Sequence, residues 1–102
     1  MSRGLFTPRA RRELLQAVAW IAEDNQDAAE ALLAAVLRAA ELVSAKPALA
    51  RVRPELAPAR FRFWSLRGYP YLLVFDVEHD PPVIARMVHQ ARDLPVMLSD
   101  LA

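Results

Sequence analysis

Apolar positions in the first quarter of the chain recur at helical intervals. Leu14, Leu15, Val18, Ile21 and Ala22 fall at i, i+1, i+4, i+7 and i+8, one face of a helix. Thr7-Pro8 supplies the start, since a hydroxyl caps orphan amides and proline suits the first helical position. This predicts a helix over residues 8–25, a tight connection at Asn25-Gln26, and a second helix over 27–45 with Asp27 and Glu30 as a capping-box-like start. On the second helix Ala29, Leu32, Leu33, Val36, Leu37, Ala40 and Val43 form one stripe. So short a connection makes the two helices antiparallel neighbours, and their many alanines allow close approach.

The period then changes. Residues 44–58 carry three prolines and leave helical spacing, which predicts a surface loop. Residues 59–89 give three strand signals. Arg60 to Leu66 alternates, with Phe61 and Phe63 on one side and Arg60, Arg62 and Trp64 on the other. Arg67-Gly68 fits a hairpin turn, Tyr69 to Val77 is nearly continuous in apolar residues, and Val83 to His89 follows a turn at Glu78 to Pro82. Pro70 belongs at a strand start, where a missing donor is tolerated. In the tail, residues 90–102, Leu94, Met97, Leu98 and Leu101 have helical spacing over too short a length to be stable without a surface to lie on. Gly4-Leu5-Phe6-Thr7 can add an edge strand. The expected fold class is α+β, one domain over 1–102: an N-terminal helical hairpin on one face of a small, mainly antiparallel sheet, in the order (β)ααβββ with a short tail helix. The other face, bearing Arg60, Arg62, Trp64 or their neighbours, is expected to be solvated or covered by a partner.

Composition narrows the classes. The 102 residues are 55% hydrophobic, which argues against intrinsic disorder, and the absence of cysteine removes disulfide frameworks and thiolate zinc sites. Arg3, Arg9, Arg11 and Arg12 before Leu14–Ala22 look superficially like a signal peptide, but Glu13 and Gln16 interrupt the stretch and Glu23-Asp24 follow it. No uncharged run approaches the ~18–20 apolar residues of a membrane span. A soluble, cytoplasmic protein is expected.

The net charge of +1 conceals four blocks: +4 over residues 1–12, −5 over 13–45, +5 over 46–67 and −3 over 68–102. Within the +5 block, Arg51, Arg53, Arg60, Arg62 and Arg67 interleave with Phe61, Phe63 and Trp64, the mixture of cations and rings that suits an RNA surface. An ordinary polar strand face, with arginine stems covering apolar area, has the same composition. An acidic protein is another partner for it.

Little else carries chemistry. Only Gly4 and Gly68 are glycine, so no phosphate-binding loop exists, and His79 and His89 make no metal constellation. No serine stands in a nucleophile elbow. His89 ends the last strand and has the chemistry of a general acid or base near neutral pH, although a hydrogen-bonded strand-end histidine is the simpler assignment. Arg92 and Asp93 suit capping of the tail and pairing with each other.

Several segments together resemble the ParE/RelE toxins of bacterial type II toxin–antitoxin pairs. They are Thr7-Pro8-Arg9-Ala10 leading into Ile21-Ala22-Glu23-Asp24-Asn25 and Ala28-Ala29; Lys46-Pro47 through Arg53-Pro54-Glu55-Leu56; Arg60-Phe61-Arg62; Tyr69-Pro70-Tyr71-Leu72-Leu73-Val74-Phe75; and Val88-His89-Gln90-Ala91-Arg92-Asp93-Leu94-Pro95. The resemblance spans nearly the whole chain, and the His-x-x-Arg-Asp ending is its most ParE-like part. It implies the fold derived above. RelE-like members cleave mRNA on the ribosome with basic residues and usually a C-terminal tyrosine. Here no tyrosine follows Tyr71, and Gln90 stands where RelE-type members often place an arginine. ParE-like members act on DNA gyrase through protein contacts. The expectation is therefore a ParE-like toxin that inhibits gyrase without being an enzyme, uses no cofactor or metal, meets DNA only indirectly, and forms a hetero-oligomer with a ParD-like antitoxin. A RelE-like ribosome-dependent endonuclease is the alternative. Arg60, Arg62, Trp64, His89, Arg92, Asp93, Leu94 and Pro95 are the expected contact surface for target or antitoxin.

Overall fold

The computed structural model describes residues 5–101. Two helices, α1 (Pro8–Ala22) and α2 (Gln26–Ala45), precede four strands, β1 (Arg51–Val52), β2 (Phe61–Ser65), β3 (Tyr71–Asp76) and β4 (Val83–His89). A one-turn helix, α3 (Leu94–Met97), and a 3-10 turn at Ser99–Leu101 close the described chain. The strands pair antiparallel in the order β1-β2-β3-β4. This is the expected α+β architecture, with one short strand more than the three-strand meander. That strand lies within the stretch expected to be a loop: after a 3-10 turn at Pro47–Leu49, Arg51 pairs with Phe63 and Val52 with Arg62. Two residues between prolines are too few to show alternation in sequence.

The helix starts follow from side-chain chemistry. Thr7 Oγ1 accepts from the Ala10 amide at 3.1 Å and donates to the Ala85 carbonyl at 3.0 Å, so one hydroxyl caps α1 and ties it to β4. The second cap is Asn25, whose Oδ1 accepts from the Ala28 amide at 3.0 Å. Asp27, expected to cap α2, instead sits in its first turn beside the positive end of the helix dipole. Helix α1 ends at Ala22, short of the expected residue 25, because the chain must turn before Asn25 can adopt its extended cap geometry.

Residues 5–7 lie beside β4 as anticipated for an edge segment, in a parallel bridge of Phe6 with Ile84. The Ile84 amide donates to the Leu5 carbonyl at 2.8 Å and the Thr7 amide to the Ile84 carbonyl at 2.9 Å. Gly4 lies outside the described residues. In the β2–β3 connection the Tyr69 amide donates to the Leu66 carbonyl at 3.1 Å, with Gly68 at φ 84° where an L side chain would be strained.

The sheet separates two apolar clusters. Between the sheet and the helices lie Ala10, Leu14, Leu32, Val36, Ala40 and Val43 with Leu66, Leu73, Phe75, Ile84 and Met87, flanked by Trp64 and Tyr71. On the other face Phe63, Leu72, Val74 and Val88 pack with Ala57 and Leu98, flanked by Leu56, Phe61, Leu94, Met97 and Leu101. This corrects the expected orientation of β2. Trp64 points to the helix side, and Arg62 shares its parity; the opposite face carries the phenylalanines and is covered by the tail and the 56–57 segment. The pleat was legible in sequence, but its assignment to the two layers depends on where the helices and tail dock. Leu98, fully buried, is the anchor that gives the short tail its surface.

Candidate functional site

The expected contact residues divide among three places. Arg60 precedes β2 at the sheet end where Phe61 pairs with Asp76 and Asp76 with Val83. Its Nη2 lies 2.7 Å from Asp76 Oδ2 and its Nε 3.8 Å from Glu78 Oε1, and its guanidinium stacks 5.2 Å from the Phe61 ring centroid. The hydrogen bond to Asp76, aided by the carboxylate charges, raises the Arg60 guanidinium above its ordinary value. Burial pushes the Asp76 carboxyl up, but the Arg60 bond and charge and the Glu78 and His79 amides outweigh it and hold the carboxyl below its usual range.

His89 ends β4 at the opposite end, paired with Tyr71. The seven residues of β4 separate the two ends by roughly 20 Å at ~3.3 Å per residue. Arg60 and His89 therefore stand at opposite ends of the sheet rather than side by side. The imidazole meets the Tyr71 ring edge-on at 5.6 Å, and its Nδ1 accepts from the Ala91 amide at 3.1 Å, which leaves the neutral ring's proton on Nε2. The Gln90 amide donates to the Pro70 carbonyl at 2.8 Å, and the Arg92 amide to the His89 carbonyl at 3.1 Å. Arg92, Asp93 and Pro95 are exposed and Leu94 is half-buried against the tail cluster. Asp93 stands at the N-cap of α3 but makes no side-chain capping bond, and among the described residues it forms no ion pair with Arg92.

Trp64 belongs to the third place, the side of β2 that β1 only partly covers, whereas Arg62 lies in the part that β1 does cover, paired with Val52, and lines no groove there. A groove of about 860 Å³ there is lined by Leu42, Leu49, Arg51, Arg53, Trp64 and Arg67 among others. A second, of about 680 Å³, continues along α2 past Arg38, Ala39 and Glu41 and shares Leu42, Trp64 and Arg67 with the first. Arg53 Nε bonds Glu55 at 3.0 Å and its guanidinium stacks 5.9 Å from the Phe63 centroid. The Glu55 carboxyl is held below its usual range by a backbone amide bond first and then by Arg53.

One cluster escaped the sequence reading. Arg86 is 1% exposed and lies on the tail side of β4. Its Nε and Nη2 donate to the Glu13 carboxylate of α1, the closest contact being 2.8 Å, while Nη1 donates to the Met97 carbonyl at 2.8 Å and to Asp100 at 2.7 Å. Glu13 also accepts from the Met87 amide at 2.8 Å, and Arg9 holds the other oxygen of Asp100 at 3.1 Å. Burial pushes the Arg86 guanidinium down, but its bonds to Glu13 and the charges of Glu13 and Asp100 more than offset this and raise it. A lone arginine inside the apolar run Val83–Val88 was the available signal, since a charge in a buried strand must be paired. The partner 73 residues away was not legible.

Among the described residues no group of three metal-ligating side chains exists, and no helix is long and apolar enough to cross a membrane. Among the described residues no serine or threonine hydroxyl is hydrogen-bonded to a histidine or carboxylate. The geometry offers charged and apolar surfaces on a rigid sheet. The family model of the ParE toxin of the type II toxin-antitoxin system, parDE, matches residues 5–94. The chain belongs to the ParE toxin family. No curated protein matches it. Membership in the ParE family makes this chain the toxin side of a toxin–antitoxin pair and implies an antitoxin as its partner. The match takes in the helical hairpin and all four strands and ends at the first residue of α3.

Proposed function

We propose that this ParE-family chain inhibits DNA gyrase by protein–protein contact, in the cytoplasm, without catalysing a reaction of its own, and that a cognate ParD-like antitoxin neutralises it in a hetero-oligomer. The observation that carries the non-enzymatic reading is the dispersal of the chemistry-bearing residues. Arg60 is committed to Asp76 at one end of the sheet, and His89 is held between Tyr71 and the Ala91 amide at the other. General acid–base catalysis needs groups within hydrogen-bond reach of one reacting atom, about 2.6–3.2 Å, and this separation works against it. The exposed loop from Arg92 to Pro95, with His89 behind it, is the part of the expected contact surface best placed for the target. Trp64 falls to the groove, and Arg60 acts as a clamp on the sheet end.

Purified chain added to gyrase, relaxed plasmid and ATP should reduce supercoiling with dose and accumulate cleaved DNA. Charge reversal at Arg92 together with Asp93→Lys should weaken this while leaving the melting temperature unchanged. Unaltered supercoiling by gyrase from several bacteria, combined with cleavage of mRNA on translating ribosomes, would overturn the proposal in favour of a RelE-like endonuclease.

A further inference from the structure

Helix α1 gives one face to the core and the opposite one to solvent. Ala10 and Leu14 are buried, whereas Arg12, Leu15, Gln16, Ala19, Trp20 and Glu23 are exposed. At 74%, Trp20 is the most exposed large apolar side chain among the described residues, and Leu15 on the same helix is 53% exposed. Neither lines the two grooves beside β2. An indole left in water on a rigid helix is apolar area that a partner would cover. The charges along this face are also ordered. No acid stands in the first turn of α1 and no base in the last; Glu23 caps the C-terminal end, where its charge opposes the helix dipole. Among the described residues neither Arg12 nor Glu23 enters an ion pair.

The order of these residues is self-complementary. Arg12, Gln16, Ala19 and Glu23 are spaced 4, 3 and 4 apart, the spacing of a seam between paired helices. At about 100° per residue they fall within about 60° of one another, with Leu15 and Trp20 on opposite flanks of the row. Two antiparallel copies of one helix oppose residues whose positions have a constant sum. Positions 12 and 23, 16 and 19, and 15 and 20 all add to 35. Arg12 therefore faces Glu23 of a second copy, and Gln16 faces its Ala19, each twice by the two-fold axis. The same axis sets Leu15 beside Leu15 of the copy along one flank and Trp20 beside Trp20 along the other. A uniformly acidic or basic partner would match one end of the row and be repelled by the other.

We propose that the chain self-associates through the exposed face of α1. A second copy packs antiparallel about a two-fold axis, with an Arg12–Glu23 pair at each end of the seam, and the small Ala19 lets the helices approach while Leu15 and Trp20 close over its flanks. Each charge then lies beside the end of its neighbour's dipole that favours it, which offsets the mismatch within α1. One helix pair makes a small interface, so dimer and monomer should exchange with concentration.

Sedimentation equilibrium of the full chain over a concentration series tests this. The mean mass should climb from 11.4 kDa toward twice that value, less steeply at high salt. Arg12→Glu and Glu23→Arg, taken singly, each turn both end pairs repulsive and should weaken association about tenfold or more. Both sites are exposed, and Glu23→Arg also suits the helix dipole, so the melting temperature of either variant should not fall. Mixing the two single variants should restore the dimer, because acids at 12 and 23 of one chain then face bases at 23 and 12 of the other. The double variant Arg12→Glu with Glu23→Arg should restore it within one chain. Trp20→Ala should weaken association about tenfold or more while leaving the charge pairs in place. A monomer at every concentration, a dimer indifferent to these variants, or single variants that stay monomeric when mixed would overturn the proposal.

Discussion

Truncating Arg86 should be among the most damaging single changes to this fold. Its guanidinium joins α1 through Glu13, β4 through its own backbone, and the tail through Met97 and Asp100, at 1% side-chain exposure. Arg86→Met removes the charge and keeps the stem, leaving the Glu13 carboxylate, 18% exposed, with only the Met87 amide, and the Met97 carbonyl without a donor. Breaking a buried pair by removing one partner costs about 3–5 kcal/mol, since the remaining charge has lost its compensation. For a domain of this length each kcal/mol is worth roughly 4–8 °C, so the melting temperature should fall by about 12–40 °C. Asp100→Asn should cost only about 0–1 kcal/mol, because Asp100 is 40% exposed and water replaces much of what it loses. The pair should also be strongly coupled. Arg86→Met with Glu13→Leu should recover at least half of the loss, because an apolar pair leaves no orphaned charge, though the Met87 amide stays unpaired. Urea denaturation of the four variants closes the cycle. A loss below about 1 kcal/mol for Arg86→Met, or a double variant no better than the single, would refute this account of the cluster.

Two further outcomes follow from local geometry. Because the folded state holds the Asp76 carboxyl below its usual range, its contribution is fully present above the ordinary carboxylate value of about 3.9 and is lost as pH falls through the lower folded value. The stability gap between the wild type and Asp76→Asn should therefore narrow below about pH 4, and a gap independent of pH in urea titrations would contradict the Arg60–Asp76 pairing. The two helix caps should differ: Asn25→Ala removes one capping bond and costs about 1 kcal/mol, whereas Thr7→Ala also removes the bond to the Ala85 carbonyl and should cost more, about 2 kcal/mol, in the same denaturation assay.

Much of the fold was legible because its signals are local. The helical stripe from Leu14 to Ala22 and the Thr7-Pro8 start define α1, and Arg67-Gly68 with its positive φ marks the hairpin. The apolar run and its bounds define β3 and β4. The misjudged cap at Asp27 came from a competition between two good capping residues two positions apart, which the connection from Ala22 resolves in favour of Asn25. Strand β1 was not legible, since two exposed residues carry no periodicity and exist as a strand only because β2 lies beside them.

The candidate surface was legible only as a list of residues. Alternation along β2 separates Phe61 and Phe63 from Arg62 and Trp64, but not which set meets the helices. Nor does it show that Arg60 and His89 lie at opposite ends of the sheet, or that Arg86 reaches Glu13 and Asp100. The sequence by itself determined the two long helices, the three longer strands, the family resemblance and the basic character of residues 46–67, because propensity, capping and charge act within a few positions of the chain. Only the tertiary structure decided which face of the sheet is covered, which arginines are committed to carboxylates and which stand free at the edge of β2, because docking of the helices and tail brings together groups that chain distance does not relate.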